Sequence, residues 1–198
     1  MHPYTISSAP TADGQLRFLV KGLGSYTKRL GSALKTGSTA RVSKAYGHFG
    51  LRKTKGVQVW IGGGIGITPF LSWAQSLDEA WSVPTRLYYC VRSAESAIYL
   101  NELQATAERV DSFSATVVNS SKEKRLNATR IVKELAGDIQ TAHVYFCGPA
   151  AMRDALKQDL VAQGLRERNF HYEEFEIRTG IGLERPLRWA WNKVVARI

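Results

Sequence analysis

Nine residues near the middle of the chain, Ile61-Gly62-Gly63-Gly64-Ile65-Gly66-Ile67-Thr68-Pro69, constrain its fold more than any others. An apolar run, Val57-Gln58-Val59-Trp60-Ile61, leads into them, and Phe70, Ala74, Leu77 and Trp81 recur on one helical face beyond them. The pattern predicts a strand, a glycine turn and a helix. In that arrangement backbone N–H groups and a positive helix end meet a phosphate. Pro69 suits the first helical position, where its missing N–H leaves nothing unsatisfied. The motif departs from the common G-x-G-x-x-G: Gly64 and Gly66 match, but Thr68-Pro69 stands where a third glycine would be.

The same alternation continues to residue 177. Strand-like runs at 57–61, 86–91, 113–119, 144–147 and 170–177 are separated by helical patterns at 69–80, 97–110, 127–135 and 149–163. Five strands joined by helices imply a parallel sheet covered on both faces, with ligands at the carboxyl edge where strand order reverses. Residues 1–56 read differently, with short strands at 4–8, 16–21 and 39–46 and a short helix at 24–34. That is too little to close a barrel. The expected fold is α/β, a five-stranded parallel doubly wound nucleotide-binding domain preceded by a partial antiparallel β-barrel. The expected divisions are 1–54, 55–177 and an extension at 178–198, where apolar and basic residues interleave at helical spacing.

Composition excludes several classes. At 198 residues the chain can bury one core, or one domain with part of another. Cys90 and Cys147 are too few for a disulfide framework, a cysteine-ligated cluster or a zinc ribbon, and no metal site is expected. No apolar run reaches the length of a membrane span, and Met1-His2-Pro3-Tyr4 lacks a secretory pattern. The net charge of +10 is scattered and carries no nucleic-acid motif, so no nucleic-acid partner is expected. Phosphorylated cofactors or an anionic membrane face account for it equally well.

Four further motifs carry chemistry. Cys147-Gly148-Pro149 ends a strand and opens a helix, which would set it across a crevice from the first glycine turn. Cys147 there is either a soft contact for a redox ring or a small buried hydrophobe; none of His2, His48, His143 and His171 has the spacing of a general base beside it. His2-Pro3-Tyr4-Thr5-Ile6-Ser7-Ser8 offers an aromatic ring and hydroxyls on a strand. Gly24-Ser25-Tyr26-Thr27 opens a helix, and Gly47-His48-Phe49-Gly50 is a second turn. Arg92, just past the second strand, is either a ligand for a 2′-phosphate or a solvated strand end; no Asp occupies the position that binds a ribose diol.

Six segments taken in order, HPYTISSAP at 2–10, GSYTKRL at 24–30, AYGHFG at 45–50, VWIGGGIGITPF at 59–70, YFCGP at 145–149 and EEF at 173–175, resemble the ferredoxin–NADP reductase superfamily. They resemble most closely its dehydrogenase domain in the transmembrane NADPH oxidase and ferric reductase branch, over residues 2–177. The resemblance implies FAD and NADPH as cofactors, with NADH possible. It places Tyr4 on the flavin ring, with Pro3, Thr5, Ile6 and Ser7 along ring and ribityl chain and His2 near the phosphates. Gly24, Ser25, Tyr26 and Thr27 would cradle the FAD pyrophosphate. Gly64, Gly66, Ile67 and Thr68 would receive the nicotinamide nucleotide, Thr68 near the carboxamide. Cys147, with Gly148 and Pro149, would lie beside the nicotinamide. Arg92 and Tyr99 would meet the adenosine end, and Phe175 would stack on the flavin. Cys147, Thr68 and Phe175 are the expected catalytic positions.

The implied function is a dehydrogenase module passing hydride from NADPH to FAD and electrons to a membrane haem domain, with oxygen or ferric iron as the acceptor. It implies a location at the cytoplasmic face of a membrane, with the 178–198 tail touching that surface or packing on its own domain. The alternatives are a soluble flavin or ferredoxin-type reductase, or a nucleotide-binding module without activity. Relatives place about three strands before the His-Pro-Tyr motif, where this chain has only Met1. The expected barrel therefore lacks its first half, and FAD affinity is expected to be weak.

Overall fold

Strand and helix alternate from Gln58 onward in the computed structural model, which describes residues 3–173. A first helix, α1 (Ser25–Ala33), precedes this region. The strands are β1 (Gln58–Gly63), β2 (Thr85–Val91), β3 (Phe113–Asn119), β4 (His143–Cys147) and β5 (Phe170–Glu173). The helices between them are α2 (Thr68–Ser76), α3 (Leu100–Arg109), α4 (Ala128–Glu134) and α5 (Ala150–Ala162). All four strand pairings are parallel, in the order β3-β2-β1-β4-β5. The chain builds outward from β1 through β2 to β3, then crosses back to lay β4 on the other side of β1. The order therefore reverses between β1 and β4.

The crossing explains the two cores. Trp60, Phe70, Leu71, Trp73, Leu87, Tyr89 and Leu103 are buried on the face covered by α2 and α3. Val59, Ile61, Val144, Phe146, Ile131, Leu156 and Leu160 fill the face covered by α4 and α5. Neighbours in β1 thus point to opposite cores, as the period of two in a strand requires. This is why the apolar run in β1 is continuous and not alternating.

The strands match expectation closely within the described residues, and the helices are shorter. The helix expected over 69–80 ends at Ser76, because Leu77 turns to extended backbone and buries its side chain. The helix expected from 97 starts at Leu100 after Tyr99 adopts a left-handed conformation, φ 59°. The part of the last expected strand beyond Glu173, the 178–198 extension, His2 and Phe175 lie outside the described residues.

The N-terminal segment differs most. Of its expected strands only one antiparallel bridge forms, Ile6 to Phe18, and 39–46 has no strand. An isolated pair of strands is marginal without a third to bury its apolar face. Here Leu16, Val20, Leu23, Val42 and Tyr46 stay exposed among the described residues. Leu19, Phe49 and Leu51 of the segment do pack against the α2–α3 core. Phe49 stacks on Trp73 at 5.0 Å between ring centres and meets Phe70 and Tyr145 edge-on at 6.0 and 6.1 Å. That gathers the AYGHFG turn onto α2.

A buried glutamine fastens the entry to the sheet. Gln58 accepts from the Trp60 indole at 2.8 Å and donates to the Arg52 carbonyl at 2.6 Å. Both ends of the amide are satisfied, so it costs little to bury. Gln58→Leu removes both partners inside the core and is expected to destabilise the protein by about 2 kcal/mol, read as a lower denaturant midpoint at unchanged slope.

Candidate functional site

The reversal of strand order puts two loop ends side by side. Gly62 of β1 stands in register with Cys147 of β4. Beyond Gly63 the chain makes a tight 3₁₀ turn, Gly64–Ile67, that runs into α2 without a break. The Thr68 hydroxyl donates to the Ile65 carbonyl at 3.1 Å and closes the turn from inside. Its lone pairs are then left to accept from an amide, the type of group a carboxamide offers.

Two glycines in the turn are needed for different reasons. A Cβ on Gly66 would sit 2.1 Å from the Cys147 carbonyl oxygen, so the first glycine turn packs backbone on backbone against Cys147-Gly148. Gly64 has φ +57° and open space where a Cβ would point, which leaves its backbone accessible from the crevice. Ile67 is fully buried in the α2–α3 core, so only its backbone can face a nucleotide; the sequence suggested no such restriction.

The opposite wall is Cys147, Gly148 and Pro149, which leads into α5. The first turn of α5 has no side-chain cap, leaving its amides to a ligand or water. Cys147 is fully buried. Burial pushes its thiol above the ordinary value, and the Glu173 carboxylate adds to the effect. It is a neutral sulfur contact and not a thiolate. Glu173, which the sequence reading included only as part of a motif, ends β5 in register with Cys147, and burial raises its carboxyl.

On the N-terminal side, Tyr4 has a buried hydroxyl with no hydrogen-bond partner among the described residues. Its ionisation is disfavoured by burial, and Tyr26 adds to the effect. An unpartnered buried hydroxyl fits a polar ligand such as a flavin nucleotide. Ser7 fits less well than expected. It is fully buried, and its hydroxyl donates to the Arg17 carbonyl at 3.0 Å. Ile6 is tied up in the bridge to Phe18. The Thr27 hydroxyl accepts from the Leu23 and Gly24 amides at 3.0 Å each, shaping the turn from within.

The loop after β2 carries Arg92 and Tyr99, both exposed. Tyr89 in β2 holds this loop by donating its hydroxyl to the Ser96 carbonyl at 3.2 Å. A bulky residue with positive φ is strained, and Tyr99 is held there with the Arg17 guanidinium 4.4 Å over its ring. Glu95 lies in the same loop, its carboxyl held below the usual range by its own amide and by Ser93. No sequence motif marks this Glu, which shares the loop with Arg92.

Two of the described histidines pair with each other. His143, the first residue of β4, and His171 of β5 meet at 3.3 Å between ring nitrogens, and His171 lines a hollow with His48, Phe49, Tyr172 and Glu173. Among the described residues no group of His, Cys, Asp and Glu could hold a metal, and no helix is long and apolar enough to cross a membrane.

A family model described as the oxidoreductase NAD-binding domain matches residues 60–158, from β1 into α5. The chain belongs to this family. It is 29% identical over 181 residues to the toluate 1,2-dioxygenase electron transfer component of Pseudomonas putida, which covers 87% of this chain and 53% of that one. It is 31% identical to the propane 2-monooxygenase reductase component of Gordonia sp. (strain TY-5), over 77% of this chain and 48% of that one. The chain therefore spans about half the length of the curated relatives it matches. Among solved structures, the flavohem-like FAD/NAD-binding domain of nitric oxide dioxygenase from Vibrio cholerae O1 biovar El Tor superposes with a TM-score of 0.72 at 22% identity. That match covers 87% of this chain and 76% of that one. The superfamily and the expected cofactors, FAD with NADPH or NADH, agree with these likenesses. They do not single out the transmembrane oxidase and ferric reductase branch.

Two measurements check the crevice. Gly66→Ala must displace the Cys147 carbonyl and is expected to cost about 2 kcal/mol or more, with loss of nucleotide binding, whereas Gly31→Ala, on the exposed face of α1 with open space around it, lowers stability not at all. Burial also raises the Cys90 thiol, to about 12. Native protein at pH 8 should therefore react with a disulfide reagent at neither thiol within minutes, and at both once unfolded.

Proposed function

We propose that the chain is the nucleotide-oxidising part of a flavin-dependent NAD(P)H reductase that supplies electrons to a separate oxygenase or haem partner. The observation that carries this reading is the pair of strand ends at the β1–β4 reversal, where the Gly64–Ile67 turn packs backbone on backbone against Cys147-Gly148. It is supported by relatives that are electron transfer or reductase components of dioxygenases and monooxygenases. A membrane haem acceptor has no such support, so the alternative of a reductase with a separate partner is the better reading. In this reading residues 1–54 form the flavin side and 55–177 the nucleotide side.

When bound, the flavin and nicotinamide supply the hydride and electron chemistry. The chain's own groups do the rest. The amides at the start of the 3₁₀ turn and of α5 would donate to the nucleotide's phosphates. The Thr68 hydroxyl accepts from the carboxamide and sets the face the nicotinamide presents. Cys147, buried and neutral, fills the wall beside the reacting carbon without competing as a nucleophile. Tyr4 offers its unpartnered hydroxyl to the flavin. Pro3, Thr5, Ser25 and Tyr26 line the same side, with His2 and Phe175 as further candidates.

Anaerobic addition of NADPH to the FAD-loaded chain should bleach the oxidised flavin band; bound nucleotide without bleaching would reduce the chain to a binding module. Arg92 favours the 2′-phosphate of NADPH. Arg92→Ala is expected to lower kcat/KM for NADPH about tenfold and for NADH less than twofold, and an unchanged ratio removes Arg92 from this role.

A further inference from the structure

The N-terminal segment is fastened to the nucleotide-binding domain by a polar clamp as well as by Phe49. Ser72 on α2 donates its hydroxyl to the Ser8 carbonyl at 2.8 Å. One turn on, Gln75 accepts from the Ala9 amide at 2.9 Å and donates to Glu102 of α3 at 2.6 Å. Glu102 receives both terminal nitrogens of Arg17, at 2.7 and 2.9 Å. The same guanidinium donates to the Ser7 carbonyl at 2.8 Å and lies over Tyr99. The Arg17 carbonyl in turn accepts from the Ser7 amide at 2.8 Å.

These contacts fix the end of the Pro3–Ser8 stretch against the flank of α2. The first turn of α2 is the turn proposed to face the nucleotide. A single helix therefore holds the glycine turn at its tip and the Pro3–Ser8 stretch along its side.

We propose that Arg17 and Glu102 are positioning residues for hydride transfer: their paired fork, braced by Gln75, sets the distance between the flavin-side strand and the nucleotide turn. This rests on the reductase reading above. Neither residue lies in the Gly64–Thr68 turn or the Cys147–Pro149 segment. Both are partly exposed, side chains 28% and 35% accessible, so the pair adds little to overall stability. What a bidentate fork does supply is a fixed orientation. Transfer between two rings is steeply sensitive to that orientation, and an error of about 1 Å can cost about a hundredfold.

The test uses the full chain loaded with FAD and mixed anaerobically with NADPH, following flavin bleaching in single turnover. Arg17→Gln and Glu102→Gln are expected to slow bleaching about tenfold or more, with the nucleotide Kd changed less than twofold and faster hydrogen exchange at the Ala9 amide. Arg17→Lys keeps the charge without the fork and should recover only part of the rate. The exchanged pair, Arg17→Glu with Glu102→Arg, should recover more than either change alone. Bleaching by the parent chain at a rate Arg17→Gln leaves unchanged overturns the proposal alone. So does a loss of nucleotide affinity large enough to explain the whole effect. No bleaching by the parent chain, with nucleotide bound, overturns the reductase reading and this proposal together.

Discussion

The contact between Gly66 and the Cys147 carbonyl is the constraint on which the rest of the structure depends. Two peptide segments meet there with no side chain between them. They can meet only because β4 lies beside β1, and β4 lies there only because the chain crosses back over the sheet after β3. A larger residue at 66 would push the turn off β4 and open the crevice along its length. The glycine is thus a statement about topology as much as about local backbone.

Helix α2 has three duties on three surfaces. Its first turn continues the 3₁₀ turn proposed to face the nucleotide, and its buried face carries Phe70 and Trp73 into the aromatic core around Trp60. Its remaining flank receives the N-terminal segment through Ser72, Gln75 and the ring of Phe49. The aromatic packing makes the helix stiff in the directions that matter, because Trp73 touches Trp60, Phe70, Tyr145 and Phe49 at 5.0 to 5.4 Å. A helix held this way can serve as a fixed reference for groups brought by other parts of the chain.

Much of this was legible in the sequence. The apolar run, the glycines and Pro69 specify strand, turn and helix locally, so β1 and α2 follow directly from residues 57–76. The parallel sheet follows from repetition of that unit. What could not be read is whatever depends on neighbours distant in the chain. The alternation at 16–21 and 39–46 suits strands, but a strand needs a partner, and among the described residues only Ile6 and Phe18 supply one. Ile67 and Ser7 lie within binding motifs, yet the core claims the side chain of one and the Arg17 carbonyl the hydroxyl of the other. Glu173 gains meaning only from the register of β5 on β4, and Glu95 only from sharing the Arg92 loop.

The meeting of Gly66 with Cys147 also has a consequence for how the protein folds. The two walls come from opposite ends of the family domain, so neither half of it can form the crevice alone. The crevice appears only once the long-range crossing is complete, which is the slow kind of contact in folding. A nucleotide that recognises the finished crevice binds the native state and not the unfolded chain. It therefore acts as a keystone added last, raising the stability of the whole sheet by mass action. Melting temperature should climb with nucleotide concentration.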